Sequence, residues 1–302
     1  MTLTLAIPFY ANTELLAAAL ASVLAQDCDD WEAVVVDDGS DSDAREVVTR
    51  AGGGRIRYLR NPTNLGLAGN WNRCLEVAET ELVTIFHADD VLRADYARRV
   101  LDVHRATPDA VAVFTGASVI GPTGKAIFSI PDEVKRFTRP RADGDRIDVA
   151  GEAGLVSLLR GQHIFCPTLA YQRERLPQPT FDARWRQVTD LDLLARLLVA
   201  GEHIVGTTEA AYRYRRHSAN QTALLTASLD RFDEEYAVFA EIATRARARG
   251  WTRAAATAER ARKVQLHAAY EGVRSLLRGD LRQARACLAV TRGPRDGHGA
   301  SA

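Results

Sequence analysis

The sequence predicts an α/β fold, a doubly wound and mainly parallel sheet followed by an α-helical extension. Three observations carry the prediction. Short, almost continuously apolar segments recur at Leu3 to Ile7, Trp31 to Val36, Ile56 to Leu59 and Leu82 to Phe86, the composition of strands covered on both faces. Segments with helical spacing lie between them, the clearest carrying Leu15, Leu16, Leu20, Val23 and Leu24. This β-α-β-α-β-α-β alternation with short connections is that of parallel strands joined by crossover helices. From about Ser228 the composition shifts to Ala, Arg, Glu and Leu, and Phe232, Tyr236, Phe239 and Ile242 fall on one helical stripe.

The elements follow in order. Pro8 ends the first strand, Phe9 to Asn12 forms a loop, and Thr13 is placed to cap the first helix. The second strand ends in Asp37-Asp38 and the turn Gly39-Ser40-Asp41. A helix over Asp43 to Ala51 leads through Gly52-Gly53-Gly54 to the third strand. A Gly/Asn-rich loop from Arg60 to Asn70 opens a helix reaching about Glu79, and the fourth strand runs into His87-Ala88-Asp89-Asp90. Arg93 to Arg105 has helical spacing, Ala110 to Val119 reads as a strand, and Gly121 to Gly124 reads as a turn. Phe128 to Asp148 is charged and lacks periodicity, and reads as a variable loop. Gly151 to Leu159 resumes as helix, Cys166 to Gln172 as strand, and Val188 to Leu197 sets Asp190 and Asp192 at a helix start.

Bulk properties narrow the function classes. The 302 residues hold one large domain with an appendage or two modest domains. A formal net charge of zero argues against a general nucleic-acid binder. Cys28, Cys74, Cys166 and Cys287 are far apart and form no CxxC, so neither a zinc site nor a disulfide framework is expected, and a reducing, cytoplasmic setting is. The first residues read as a strand and not as a signal peptide, and no apolar run approaches the length of a bilayer span.

The chemistry collects where strands end. Open α/β sheets bind ligands at the carboxyl edge of their strands, where both Asp37-Asp38 and Asp89-Asp90 are expected. Adjacent carboxylates repel, so a pair there favours a cation or a hydrogen-bond donor opposite. Mg²⁺ or Mn²⁺ suits oxygen donors and keeps positions open for phosphates; the plain alternative is a solvated turn. Asp37 and Ser40 also fit a turn that uses them for its own hydrogen bonds. A dinucleotide fingerprint would place GxGxxG directly after the first strand, where Pro8-Phe9-Tyr10 stands instead.

Five blocks now stand in order: Ile7-Pro8-Phe9-Tyr10, SVLAQ at Ser22 to Gln26, VVVDDGSD at Val34 to Asp41, RNPTNLGLAGNWNRCL at Arg60 to Leu75, and Asp89-Asp90. Through them the chain resembles family 2 of the inverting nucleotide-sugar glycosyltransferases, which have the GT-A fold. The resemblance covers residues 1–120 well and continues more thinly to about residue 222. It implies a nucleotide-sugar donor, a UDP-sugar by family habit. Asp38 then binds the base, which Pro8 and Tyr10 flank, while Asn64 and Gly66 approach nucleotide and sugar. Asp89-Asp90 becomes the DXD-type motif, with Asp90 on a Mn²⁺ or Mg²⁺ ion that bridges the diphosphate and Asp89 on the ribose or donor sugar. The family usually has Asp where His87 stands, which removes one carboxylate from the cluster.

An inverting transfer also needs a base for the acceptor hydroxyl. The resemblance aligns that base with Asp190, with Thr189 in place of a Glu; the plain alternative is a helix N-cap. Asp192 fits a structural role or a basic partner. In the Tyr212 to Thr222 segment, the resemblance points to His217 beside the leaving diphosphate, with Arg213 or Arg216 in support.

The expected organisation is a GT-A catalytic domain at residues 1–225, a helical region at 226–292 and a disordered tail at 293–302. The basic C-terminal helices have three roles open to them: packing on the core, homodimer formation, or peripheral contact with an anionic membrane at its inner face. The acceptor is unspecified: a glycan, a lipid-linked sugar or a small molecule. Two other classes compete. A nucleotidyltransferase would release pyrophosphate and usually carries a basic Gly-rich loop after its first strand, absent here; a non-catalytic nucleotide-sugar binder would show no donor hydrolysis.

Overall fold

The computed structural model describes residues 1–52, 54–128, 138–216 and 221–295. Its first half is the expected alternation: β1 (Leu3–Phe9), α1 (Thr13–Leu24), β2 (Trp31–Asp37), α2 (Ala44–Ala51), β3 (Ile56–Arg60), α3 (Gly66–Val77) and β4 (Leu82–Ile85). Then come β5 (Val91–Leu92), α4 (Tyr96–Ala106), β6 (Ala112–Ile120), β7 (Arg146–Ala150), α5 (Gly151–Gly161), β8 (Leu169–Gln172), α6 (Thr189–Ala200) and β9 (His203–Arg215). The helices α7 (Gln221–Ser228), α8 (Asp230–Ala248), α9 (Thr252–Arg260), α10 (Arg262–Leu277) and α11 (Leu281–Val290) follow.

One sheet runs in the order β3-β2-β1-β4-β8-β6-β9-β5, with β7 also paired to β9. The parallel arrangement read from the sequence holds for β3-β2-β1-β4 and for β6-β9. The other four pairings are antiparallel. Sequence reading passed over β9. Its middle, Gly206-Thr207-Thr208-Glu209, interrupts the apolar run, and the β6 to β9 register shifts on both sides of Gly116. β7 begins inside the stretch read as a loop and runs two residues past it, with Ile147 and Val149 alternating inward against β9.

The sheet buries both faces. Leu3, Leu5, Ile7 and Phe9 of β1 point into a cluster with α1, α2 and α4, while Ala6, Val34 and Val36 point into the opposite one with α3, α5 and α6. The SVLAQ block is a fastener. Ser22 Oγ accepts from Leu92 N at 3.1 Å, and the Gln26 side chain donates to Arg93 O at 2.8 Å and accepts from Ala97 N at 2.8 Å, which ties α1 to β5 and α4.

The C-terminal helices share the second cluster: Phe232, Val238, Phe239, Val264, Ala268 and Val290 join Trp71, Val83 and Leu194 in it. Apolar packing therefore continues across residue 225. Buried Asp192 accepts from Arg196 Nε at 2.8 Å and from Arg245 at 2.6 Å, bolting α6 to α8. The expected disorder of 293–302 does not extend to its first residues, since Arg295 donates to Asp230 at 2.9 Å and also pairs with Asp233; residues 296–302 lie outside the described residues. No helix among the described residues is long and apolar enough to cross a membrane.

Candidate active site

The site is built first at the ends of β1 and β2. Pro8 and Phe9 close β1, and exposed Tyr10 follows them at the cleft. Asn12, with φ of 72°, caps α1 by accepting from Leu15 N at 3.1 Å, which turns the chain away from the sheet edge.

The adjacent aspartates after β2 divide their work. Asp37 is fully buried and belongs to the turn, accepting from Ser40 N at 2.8 Å and from the Tyr58 hydroxyl at 2.5 Å. Asp38 lines the cleft. Its Oδ1 accepts from Leu65 N at 2.8 Å and from Asn61 Nδ2 at 2.9 Å, so it also anchors the Asn64-Leu65-Gly66 loop. Asn61 Nδ2 continues to Asn70 Oδ1 at 3.0 Å, and Asn70 Nδ2 to Val36 O at 3.1 Å. Asn64 accepts from Gly66 N at 2.8 Å, and Gly66 sits at φ of 72°, where a side chain would be strained.

A second division of labour follows β4. Asp90 is 1% exposed; one oxygen accepts from the Tyr212 hydroxyl at 2.8 Å and the other from Arg215 N at 2.6 Å. Burial pushes its carboxyl well above the usual range, reinforced by the Asp89 charge and opposed by the Arg215 and Tyr212 hydrogen bonds. Arg215 Nε donates to Asp89 O at 2.7 Å and its guanidinium reaches Pro122 O at 2.9 Å, fixing the backbone of the motif. Asp89 and His87 line the cleft, whereas Asp90 lies beneath it. His87 packs on Trp71 with ring centroids 5.1 Å apart, burial holds its pKa down, and its buried Nε2 has no hydrogen-bond partner. Ligand atoms of His87, Asp89 and Asp90 lie within 4.8 Å of one another.

Asp190 enters from the opposite side, in the first turn of α6, and is 9% exposed in the cleft wall. Its Oδ2 accepts from Gln162 Nε2 at 3.0 Å, and Gln162 Oε1 accepts from Lys263 Nζ at 3.1 Å. Lys263 also bonds Glu235 at 3.2 Å, which in turn accepts from Arg231 at 3.0 Å. Burial alone would raise the Glu235 carboxyl, but Lys263 and Arg231 hold it down to about 2. Thr189 Oγ1 is buried without a hydrogen-bond partner.

These parts line one cleft of about 2060 Å³, into which Pro8, Tyr10, Asp38, Asn64, Gly66, Asp89 and Asp190 all open. Pockets for one small ligand span roughly 300–1,000 Å³, so this volume accommodates two substrates. Its six cations, Arg186, Arg216, Arg231, Lys263, Arg274 and Arg278, come from the second half of the chain. Arg213 is exposed and does not line it. His217 lies outside the described residues. Tyr212, Arg215 and Lys263 were not singled out from the sequence, because each acts on a group at least 101 residues away, and neither was Gln162, 28 residues from Asp190. The only local signal was the Tyr212-Arg213-Tyr214-Arg215-Arg216 string, from which Arg215 was not chosen.

Among solved structures the chain is similar to S. aureus TarS 1-349 in complex with UDP-GlcNAc, with a TM-score of 0.58 and 17% identity over 97% of this chain and 92% of that one. It is also similar to the mannosyltransferase PcManGT from Pyrobaculum calidifontis in complex with GDP-Man and Mn²⁺, with a TM-score of 0.60 and 17% identity over 96% and 85% of the two chains. At such identities the likeness is one of fold, and it is the fold of the GT-A glycosyltransferases. The family described as glycosyl transferase family 2 matches residues 4–162. The uncharacterized glycosyltransferase alr2836 of Nostoc sp. (strain PCC 7120) is 30% identical over 227 residues, 73% of this chain and 66% of that protein. The Escherichia coli UDP-Glc:alpha-D-GlcNAc-diphosphoundecaprenol beta-1,3-glucosyltransferase WfgD is 32% identical over 84 residues, 28% of this chain and 33% of that protein. The chain thus spans less than two thirds of the length of these two curated relatives. It belongs to glycosyl transferase family 2.

Proposed function

We propose that this chain moves a sugar from a UDP-sugar to an acceptor hydroxyl, with inversion, by metal-assisted single displacement. The observation that supports the reading best is that Asp38, Asp89 and Asp190, carried by three separate elements, line one cleft with room for donor and acceptor. The UDP-GlcNAc held by the structurally similar TarS supports the choice of donor.

In this reading Asp38 receives the imide N–H of the base through the oxygen that does not hold Leu65, and the Asn64 to Gly66 backbone follows nucleotide and sugar. Residue types at the DXD position fit a divalent ion: the cleft-lining carboxylate of Asp89 has ligand atoms of His87 and Asp90 within 4.8 Å, and burial favours the neutral imidazole of His87. Asp90 already gives both oxygens to Tyr212 and Arg215. We therefore assign Asp89 and His87 as the ligands facing the substrate and Asp90 as the buried carboxylate that holds the motif in place. A mixed nitrogen and oxygen donor set suits Mn²⁺ better than Mg²⁺. The ion, when bound, neutralises charge on the departing diphosphate.

Asp190 takes the acceptor proton as the anomeric carbon is attacked from the face opposite the diphosphate. Gln162 fixes its orientation, and Arg216 with its cationic neighbours offsets negative charge on that side. The test is Mn²⁺-dependent UDP release from a panel of UDP-sugars. Asp190→Asn, shown to be folded by circular dichroism, is expected to lose roughly 10³-fold in turnover. Wild-type turnover in that variant removes the base assignment.

A further inference from the structure

The last two helices carry an unusual surface. Of the twelve exposed large hydrophobic residues among the described residues, six stand on α10 and α11. Leu266, Val273, Leu276, Leu277, Leu281 and Leu288 are each at least 51% exposed, and Leu277, beside the turn joining the helices, reaches 83%. On α10, Leu266 and Val273 lie seven residues apart on one stripe, and on α11 so do Leu281 and Leu288. The two helices pack as a hairpin, with α11's Cys287 and Leu288 against Gly272, so both stripes belong to one element.

Arginines interleave with these leucines. Residues 262–292 contain seven cationic and two acidic side chains, a net charge of +5 in a chain whose net charge is zero. All six arginines of the segment are exposed. The turn alone, Leu276-Leu277-Arg278-Gly279-Asp280-Leu281-Arg282, presents three leucines and two arginines to solvent.

We infer that the α10–α11 hairpin docks on the surface of an anionic lipid bilayer. Leucines enter the boundary between headgroups and acyl chains while arginines meet lipid phosphates, the pattern of helices that lie in a membrane interface. A second copy of the chain is the poorer occupant, since it would bring the same arginine-rich surface against this one. Docking also has a consequence for the cleft. Tyr270, Arg274 and Arg278 of the same hairpin line its rim, so an acceptor held at the bilayer surface lies beside the wall that carries Asp190.

The test is co-flotation of the full chain with vesicles of phosphatidylcholine alone or mixed with phosphatidylglycerol. Binding is expected to the mixed vesicles only and to fall as salt rises. The double variant Leu277→Ser, Leu281→Ser is expected to weaken it roughly tenfold or more, because each leucine loses its burial. UDP release from a UDP-sugar in vesicle-free solution is expected to be unchanged, which separates docking from the proposed chemistry. Absence of binding to the anionic vesicles overturns the inference, as does undiminished binding by the double variant. A dimer in light scattering that the same variant dissolves also overturns it, and assigns the leucines to a second copy.

Discussion

The two halves of the cleft hold their carboxylates by different means. On the side proposed for the donor Asp38 reaches Leu65, 27 residues along, and the cleft-lining residues up to Phe128 include Asp38 and Asp89 but neither Lys nor Arg. On the acceptor side Asp190 is held by Gln162, which is itself held by Lys263, 101 residues further on, and six cations share the wall. The difference is electrostatic as well as topological. In the proposed reading, a wall with two carboxylates and no Lys or Arg takes a diphosphate with a metal ion between them. The wall proposed for the acceptor supplies its own counter-charge, four of its six cations coming from the helical region after the sheet.

The sharpest break in this comparison comes from the donor side. Asp89→Asn is expected to cost roughly a hundredfold or more in Mn²⁺-dependent UDP release. Loss of the Mn²⁺ signal shift in electron paramagnetic resonance distinguishes a ligand from a residue that only shapes the loop. A smaller effect is expected where the acceptor side is only positioned. Gln162→Ala removes the hydrogen bond to Asp190 and should lower turnover about tenfold while leaving UDP affinity intact, as supporting residues of reacting groups commonly do. If UDP affinity falls equally, Gln162 belongs to the donor side and the division fails.

The donor side was legible in the sequence because its groups sit in short, contiguous blocks. VVVDDGSD and the Asn64-Leu65-Gly66 loop place carboxylate and turn residues within a strand end and the next helix start, where local chemistry decides their positions. What could not be read was which member of each aspartate pair lines the cleft. Asp37 is claimed by Tyr58, and Asp90 by Tyr212 and Arg215, all brought in by neighbouring strands. The sequence reading gave the ion to Asp90, and only β9, a strand it passed over, reveals how deeply that residue is enclosed. Asp190 was reached through the family resemblance, since a carboxylate at the start of an apolar helix reads locally as a cap as well. Its support from α10 has no local signature.

The helical wall also has a pH dependence of its own. His267 is held down from 6.5 to about 3, first by burial and then by Arg231, and Glu235 is held at about 2 against an ordinary 4.5. Both folded values lie below the unfolded ones, so the unfolded chain binds more protons in acid. His267 contributes fully above pH 6.5 and loses its contribution as pH falls toward 3. Glu235 contributes fully above 4.5 and loses it toward 2. Thermal melts should therefore fall by roughly 5 °C or more between neutral pH and about pH 4. Melts that stay flat over that range would show these two groups to be exposed in solution.

Calorimetric titration of UDP with and without Mn²⁺, on Asp89→Asn and Asp190→Asn side by side, tests the division of the cleft most directly. The account requires Mn²⁺-dependent UDP binding to survive in Asp190→Asn and to collapse in Asp89→Asn. Survival in Asp89→Asn, or equal loss in both variants, contradicts it.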